Sequence, residues 1–123
     1  DTRFLEDKII TDLCADGIEL HARSLFLQGL LLMEPTLRPK YFHKYGELLK
    51  DWDDYVVVSG RSRLANALLP ILASPHIAKV IVGVQSVSEL SQILEAASGS
   101  LDMAWRPAMS PPRGLIDPRT WAI

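Results

Sequence analysis

Ser86 and Glu89 stand three residues apart at the start of an amphipathic segment. This spacing predicts a helix N-terminus at which the serine hydroxyl accepts a hydrogen bond from the backbone N–H of the glutamate. N–H groups at such a terminus attract anions, and Gly83 just before them allows a ligand to approach the backbone closely. The residues therefore indicate either a phosphate site or a capping box without any ligand.

The other side chains that could do chemistry are scattered along the chain. The single cysteine, Cys14, excludes an internal disulfide and favours a reducing, cytoplasmic location. The three histidines, His21, His43 and His76, do not cluster, so we predict no metal site. His21 alternates with charged neighbours, and we interpret it as solvated or salt-bridged rather than catalytic.

Charge and hydropathy exclude further functional classes. The 123 residues include 13 Lys and Arg against 15 Asp and Glu, which gives a net charge of −2 and no basic excess for nucleic acid. The apolar runs, such as 30–33, are far shorter than the roughly 20 residues that cross a bilayer. With 48% hydrophobic residues, the chain has the composition of one small globular domain without nucleic-acid or membrane partners.

Hydrophobic periodicity predicts the elements that position these residues. Helical spacing predicts a helix over 4–16 that ends at Gly17, and alternation predicts a strand from Ile18 towards Leu27. The long segment 28–40 contains glycine and two prolines, and we expect a functional loop or lid there.

The second part of the chain continues this alternation of helices and strands. Helices are predicted from Tyr41 to about Val58, over 62–73 with a kink at Pro70, and over 86–97. The last of these helices is expected to point its apolar residues inward: Val87, Leu90, Ile93 and Leu94. For the β-branched residues 56–58 a strand end is the alternative. The apolar run 79–84 predicts a strand covered on both faces, as in parallel sheets.

Two regions follow from this pattern. Residues 1–97 form an α/β segment, and residues 98–123 form a proline-rich tail, expected to be irregular and anchored by Trp105 and Trp121. Two strands alone leave unpaired edges, so we expect partner strands from an upstream segment or from another copy.

Three stretches of sequence resemble the C-terminal portion of the aldo-keto reductases. They are ARSLFLQGLL at 22–31, ANALLPILASP at 65–75 and VIVGVQSVSEL at 80–90. The run LIDPRTW at 115–121 is similar to the closing segment of some members. The resemblance implies an α/β fold in which this chain holds strands seven and eight of a (β/α)8 TIM barrel, incomplete on its own.

The resemblance also implies contacts with a nicotinamide cofactor, NADP or NAD, in the two loops that follow these strands. Ser24, Phe26, Gln28 and Gly29 would lie along the cofactor pyrophosphate. The second loop and its helix would meet the adenosine phosphate, the ribose and the adenine through Gly83, Val84, Gln85, Ser86, Glu89 and Gln92.

Two positions depart from the family pattern. Glu89 stands where many members have Arg or Gln for the 2′-phosphate of NADP, and Ile93 stands where they have Asn against the adenine. A carboxylate repels a phosphate but accepts a hydrogen bond from a free ribose hydroxyl. We therefore expect a relaxed cofactor preference or a shift toward NAD.

The family's catalytic Asp, Tyr, Lys and His would precede Asp1, so no catalytic residue is expected in this chain. The resemblance implies an oxidoreductase that reduces a small aldehyde or ketone by hydride transfer, with this part supplying the cofactor phosphate and adenosine site and inactive alone. A non-catalytic relative and a small, self-associating α/β domain are the alternatives. A Rossmann-type domain is disfavoured because no G-x-G-x-x-G follows either strand.

Overall fold

The computed structural model describes residues 7–101, 104–107 and 109–123. Within them the chain forms α-helices, two short strands and several 3₁₀ helices. The strands and α-helices are α1 (Lys8–Ala15), β1 (His21–Arg23), α2 (Gly46–Ser59), α3 (Arg63–Leu72), β2 (Lys79–Ile81), α4 (Val87–Ala97) and α5 (Arg113–Ile116). The 3₁₀ helices are Leu30–Leu32, Pro35–Leu37, Lys40–Tyr45 and Pro118–Thr120.

The two strands form one parallel pair. Register partners are His21 with Lys79, Ala22 with Val80 and Arg23 with Ile81. Because the strands are parallel, the loops that follow Arg23 and Ile81 leave the sheet at the same edge. This edge is where the two predicted cofactor loops begin.

The prediction of two strands from a (β/α)8 barrel is wrong. The described residues contain a single pair of three-residue strands, and most of their regular structure is helical. The predicted strand 79–84 was expected to be covered on both faces, yet Ile81 is 55% exposed. A pair this short offers too little apolar surface to build a core, so the helices pack on one another and on the long loop instead.

The main hydrophobic core lies away from the sheet, between the long loop, α2 and the tail. It is formed by Leu30, Phe42, Leu48, Leu49 and Leu115. The rings of Phe42 and Trp121 meet edge to face, with their centroids 4.8 Å apart. Burying each such side chain stabilises the fold by about 1.5–3 kcal/mol, so this cluster carries much of the stability.

The tail is fixed to the core by polar contacts as well. The hydroxyl oxygen of Tyr41 lies 3.0 Å from the carbonyl oxygen of Gly114 and 3.1 Å from that of Thr120. Trp121 Nε1 donates to the carbonyl oxygen of Leu115 at 3.1 Å. A Cβ at position 114 would overlap the hydroxyl of Tyr45, so a larger residue there would displace the Tyr45 side chain.

The helix α2 ends at Ser59 and is followed by Gly60, which has a left-handed backbone with φ of 64°, and a tight turn leads into α3. Ser62 caps α3 by accepting a hydrogen bond from the backbone N–H of Ala65 at 3.1 Å. Pro70 lies inside α3, as predicted. Residues 56–58 are helical, which rules out the strand alternative.

Several predicted boundaries agree with the structure. The helices predicted over 62–73 and 86–97 are present, and Gly17 follows the end of α1 with φ of 79°. The predicted start of the first helix, at 4–6, lies outside the described residues. The helix predicted from Tyr41 instead begins as a 3₁₀ helix, and the tail, predicted to be irregular, contains α5.

The helix α4 differs from the prediction in its burial. Val87, Leu90 and Leu94 were expected to point inward, yet they are 80%, 42% and 62% exposed. In the part of the chain that the structure describes, α4 packs mainly against α3. One neighbouring helix covers only one side of α4, so most of its apolar stripe stays in solvent.

Candidate functional site

The loop after β1 has an unusual backbone. Ser24, Leu27 and Gln28 all have positive φ angles, of 61°, 48° and 54°, and Gly29 follows with 84°. For a residue other than glycine, such a conformation costs about 1–3 kcal/mol of conformational free energy. Strained residues of this kind cluster at binding sites. The turn is held by hydrogen bonds from Leu27 N to Ser24 O at 3.1 Å and from Leu30 N to Leu27 O at 3.0 Å.

A cavity of about 530 Å³ lies beside this loop. Arg23, Ser24 and Gln28 of the loop contribute to its lining, together with residues of α2, α3 and the tail, including Trp52 and Asn66. Protein cavities of roughly 300–1,000 Å³ are the ones that commonly hold small ligands. The strained loop therefore borders a space of the size that a ligand requires.

Two arginines line the cavity, and they differ in their pairing. Arg119 donates from Nε to Asp117 Oδ1 and from Nη2 to Asp117 Oδ2, both at 2.8 Å. The hydrogen bonds from Arg119 hold the pKa of the Asp117 carboxyl well below its usual range. Arg23 has no ion-pair partner among residues 7–101, 104–107 and 109–123, so its positive charge is available to an anion.

The loop after β2 contains the predicted capping box. Ser86 Oγ accepts from the backbone N–H of Glu89 at 3.1 Å, and Glu89 Oε2 accepts from the backbone N–H of Gln85 at 2.7 Å. The cap at Ser86 is confirmed, with the difference that the carboxylate bonds to Gln85 rather than to Ser86. This carboxylate already offsets the positive end of the α4 dipole, which weakens its attraction for a second anion.

The structure separates the predicted cofactor residues into two sets. Ser24 and Gln28 line the cavity, whereas Phe26 and Gly29 belong to the same loop but do not line it. The predicted cofactor residues of the second loop and of α4 are all exposed to solvent. None of them lines the cavity: Gly83, Val84, Gln85, Ser86, Glu89 and Gln92.

Sequence reasoning missed the residues that α2 and α3 contribute to the lining of the cavity. Trp52 is only 2% exposed, and it also contributes to the lining of the cavity. Asn66 is equally buried, although it is an amide on the apolar face of α3. A polar residue at such a position was the signal that could have identified this part of the lining.

A buried ion-pair cluster ties the long loop to the two central helices. Arg38 donates to Asp53 Oδ2 at 2.7 Å and to Asp53 Oδ1 at 2.5 Å, and Arg63 donates to Oδ1 at 2.6 Å. Partial burial raises the pKa of Asp53, but the hydrogen bonds and charges of both arginines outweigh it and lower the pKa overall. The cluster joins three segments and has a structural role.

His21 is confirmed as a salt-bridged surface residue. Its Nε2 lies 2.5 Å from Glu19 Oε1, and Lys79 Nζ lies 3.0 Å from the same oxygen. The hydrogen bond from His21, followed by that from Lys79, lowers the pKa of Glu19. Among the described residues, no group of three His, Cys, Asp or Glu side chains is placed to hold a metal ion.

The helices of the described part are also too short or too polar to span a bilayer. Comparison with protein families, with curated proteins and with solved structures finds no match to this chain. The site must therefore be interpreted from its own geometry.

Proposed function

We propose that this chain supplies part of the nicotinamide-cofactor site of an oxidoreductase that reduces an aldehyde or a ketone. The strained loop beside the cavity is the single observation that supports this proposal best. Ser24 and Gln28 were assigned to the cofactor pyrophosphate through the resemblance to aldo-keto reductases, and both line the cavity. In this role the chain binds and orients the cofactor, and the proton and hydride chemistry requires residues from outside it.

The charge of the loop supports an anionic ligand. Arg23 directly precedes Ser24 and carries a positive charge that no carboxylate of the described residues neutralises. A guanidinium bonds a phosphate through two parallel N–H groups, and such charge-assisted hydrogen bonds are roughly twice as strong as neutral ones. A pyrophosphate lying along the loop would therefore meet Arg23 and the hydroxyl of Ser24 together.

Glu89 sets the expected cofactor preference. Its carboxylate is fixed at the start of α4 by the hydrogen bond from Gln85. If the adenosine end of the cofactor lies near this helix, the carboxylate disfavours a 2′-phosphate and favours a free ribose hydroxyl. The proposal thus includes binding of NADH at least as tight as that of NADPH.

Titration of the chain with NADH and NADPH, followed by the fluorescence of the nicotinamide ring, tests the proposal. Both cofactors should bind saturably, and Arg23→Gln should weaken both at least about tenfold, because a hydrogen bond to a charged group contributes about 1.5–3 kcal/mol. Lys8→Gln is the matched control, since it removes one positive charge from α1, where Lys8 pairs with Asp12 at 2.6 Å.

Two results would contradict the proposal. The first is the absence of cofactor binding at millimolar concentration. The second is an Arg23→Gln variant that binds as tightly as the unaltered chain. Binding of NADPH about tenfold tighter than NADH would leave the site in place but refute the role given to Glu89.

A further inference from the structure

Most of the residues that line the cavity of about 530 Å³ are apolar, and the proposed cofactor contacts do not use them. Many of these apolar residues are only half-buried, so they retain accessible surface. Removing such surface from water is favourable in proportion to the area that is covered. The cavity therefore favours a ligand with an apolar body. The half-buried apolar residues come from the loop after β1, from α3 and from the tail, and include Leu25, Leu27, Ala67, Pro70, Trp105 and Ile116.

The charged side chains of the lining leave one positive charge. Arg119 and Asp117 both line the cavity, and they neutralise each other through two hydrogen bonds of 2.8 Å. Arg23 has no ion-pair partner among residues 7–101, 104–107 and 109–123. Arg23 and the neighbouring Ser24 are exposed, so a ligand can reach both side chains. One cation in a mostly apolar lining fits a ligand with a single negative charge, because a second charge would lose water without gaining a partner.

We propose that the cavity binds a small monocarboxylate with an apolar chain. The carboxylate pairs with the guanidinium of Arg23, which can donate two parallel N–H groups to its two oxygens. This pairing offsets the loss of hydration of the charge. The chain of the ligand lies against the half-buried apolar residues of the lining, so every group that it contacts is accessible.

This inference goes beyond the proposed cofactor site, and it shares only Arg23 and Ser24 with it. It concerns a second class of ligand, which carries no nucleotide and uses the apolar part of the lining. The test is therefore made without any nucleotide. A chain that binds the carboxylate but not NADH, and a chain that binds NADH but not the carboxylate, are then separate results.

Calorimetric titration of the chain with butanoate, hexanoate and octanoate measures the contribution of the apolar chain. Affinity should rise about twofold to fourfold for each added methylene, so octanoate should bind at least about tenfold more tightly than butanoate. Hexanamide has the length of hexanoate but no charge. It should bind at least about tenfold more weakly than hexanoate, because it lacks the charged hydrogen bonds to Arg23.

The variant Arg23→Gln separates the two parts of the ligand. It should weaken hexanoate at least about tenfold and leave the affinity for hexanamide unchanged. Lys8→Gln is the matched control, because it also removes one positive charge but lies on α1, where Lys8 pairs with Asp12 at 2.6 Å. This control should bind both compounds as the unaltered chain does.

A second pair of variants separates the cavity from the exposed apolar stripe of α4. Ala67→Leu adds volume to the lining of the cavity and should weaken octanoate several-fold. Leu94→Ser removes apolar surface from α4 at a position that is 62% exposed and outside the cavity. It should leave the affinity for octanoate unchanged.

Three results would overturn the proposal. The first is an affinity that does not rise with chain length, and the second is equal affinity for hexanoate and hexanamide. The third is a loss of octanoate affinity in Leu94→Ser as large as that in Ala67→Leu, which would place the ligand on α4. The first two results are measured on the unaltered chain and do not depend on any variant folding.

Discussion

Two regions of this molecule differ sharply in how far their side chains are buried. The packed region consists of residues 30–45, α2, α3 and the tail residues 104–107 and 113–121, and it contains the almost wholly buried side chains of Trp52, Phe42, Leu30 and Leu68. The open region consists of α1, the two-stranded sheet and α4. Neither α1 nor α4 has a buried residue.

The difference shows that secondary structure and stability are separable in this chain. The helix α4 has a complete N-terminal cap and a clear apolar stripe, yet the stripe contributes little while it stays in solvent. The packed region contains irregular backbone and 3₁₀ helices beside α2 and α3, and these irregular segments contribute Leu30, Phe42 and Leu115 to the main hydrophobic core. Burial of apolar surface, rather than regularity, therefore decides where the stability lies.

The largest expected effect comes from a cavity in the packed region. Trp52 is 2% exposed, and Trp52→Ala should lower the free energy of unfolding by about 3–5 kcal/mol, because the lost burial adds to the cost of the cavity. Leu94→Ala, at a position that is 62% exposed in α4, should change it by no more than about 0.5 kcal/mol. Urea unfolding followed by far-ultraviolet circular dichroism measures both. Similar losses in the two variants would abolish the distinction between the regions.

A smaller effect is expected from the ion-pair cluster that joins the long loop to α2 and α3. Asp53→Asn should lower the free energy of unfolding at neutral pH by about 1.5–3 kcal/mol, because it weakens charged hydrogen bonds from Arg38 and Arg63. Asp54→Asn, which affects only an exposed pair with Lys50, is the control and should cost less than about 1 kcal/mol.

The same cluster predicts a pH dependence with a definite sign. The pKa of Asp53 is lowered in the folded state, so its stabilising effect is complete above the unfolded pKa of about 3.9. It is lost as the pH falls from there through the lower folded pKa. The stability difference between the unaltered chain and Asp53→Asn should therefore shrink below about pH 4. A difference that stays constant down to pH 2 would refute the assignment.

The smallest effect compares one helix cap in each region. Ser62 caps α3 and Ser86 caps α4, both through hydrogen bonds of 3.1 Å to a backbone N–H. Ser62→Ala should lower the free energy of global unfolding by about 1 kcal/mol. Ser86→Ala should instead speed hydrogen exchange of the α4 amides while global unfolding changes little, because α4 can open locally. A global loss in both variants would show that α4 unfolds with the core.

The sequence was sufficient for features with a local cause. The cap at Ser86, the end of α1 near Gly17 and the helical character of α3 follow from residue types at short spacing, and the structure contains all three. The prediction that α4 and the strand 79–84 are buried was wrong. An apolar stripe shows which residues a segment could bury, but it does not show whether another element is present to cover them.

The candidate site was only partly predictable for a similar reason. Ser24 and Gln28 were found through the family resemblance, but the left-handed backbone at Leu27 could not be, since leucine has no preference for that conformation. The part of the lining formed by Asn66 and Trp105 depends on where the tail returns to the helices. Nothing in the local sequence around either residue specifies that return.

The hydrogen bonds between Tyr41 and the tail bear on the order in which the protein folds. The hydrogen bond from Tyr41 to Gly114 spans 73 residues, and Leu115 beside it is a member of the central cluster. Closing so long a loop lowers the conformational entropy of the chain before the contact can stabilise the fold. Contacts of high sequence separation therefore slow folding. We therefore expect α2 and α3 to form early from local contacts, and the main hydrophobic core to be completed last, when the tail packs against it.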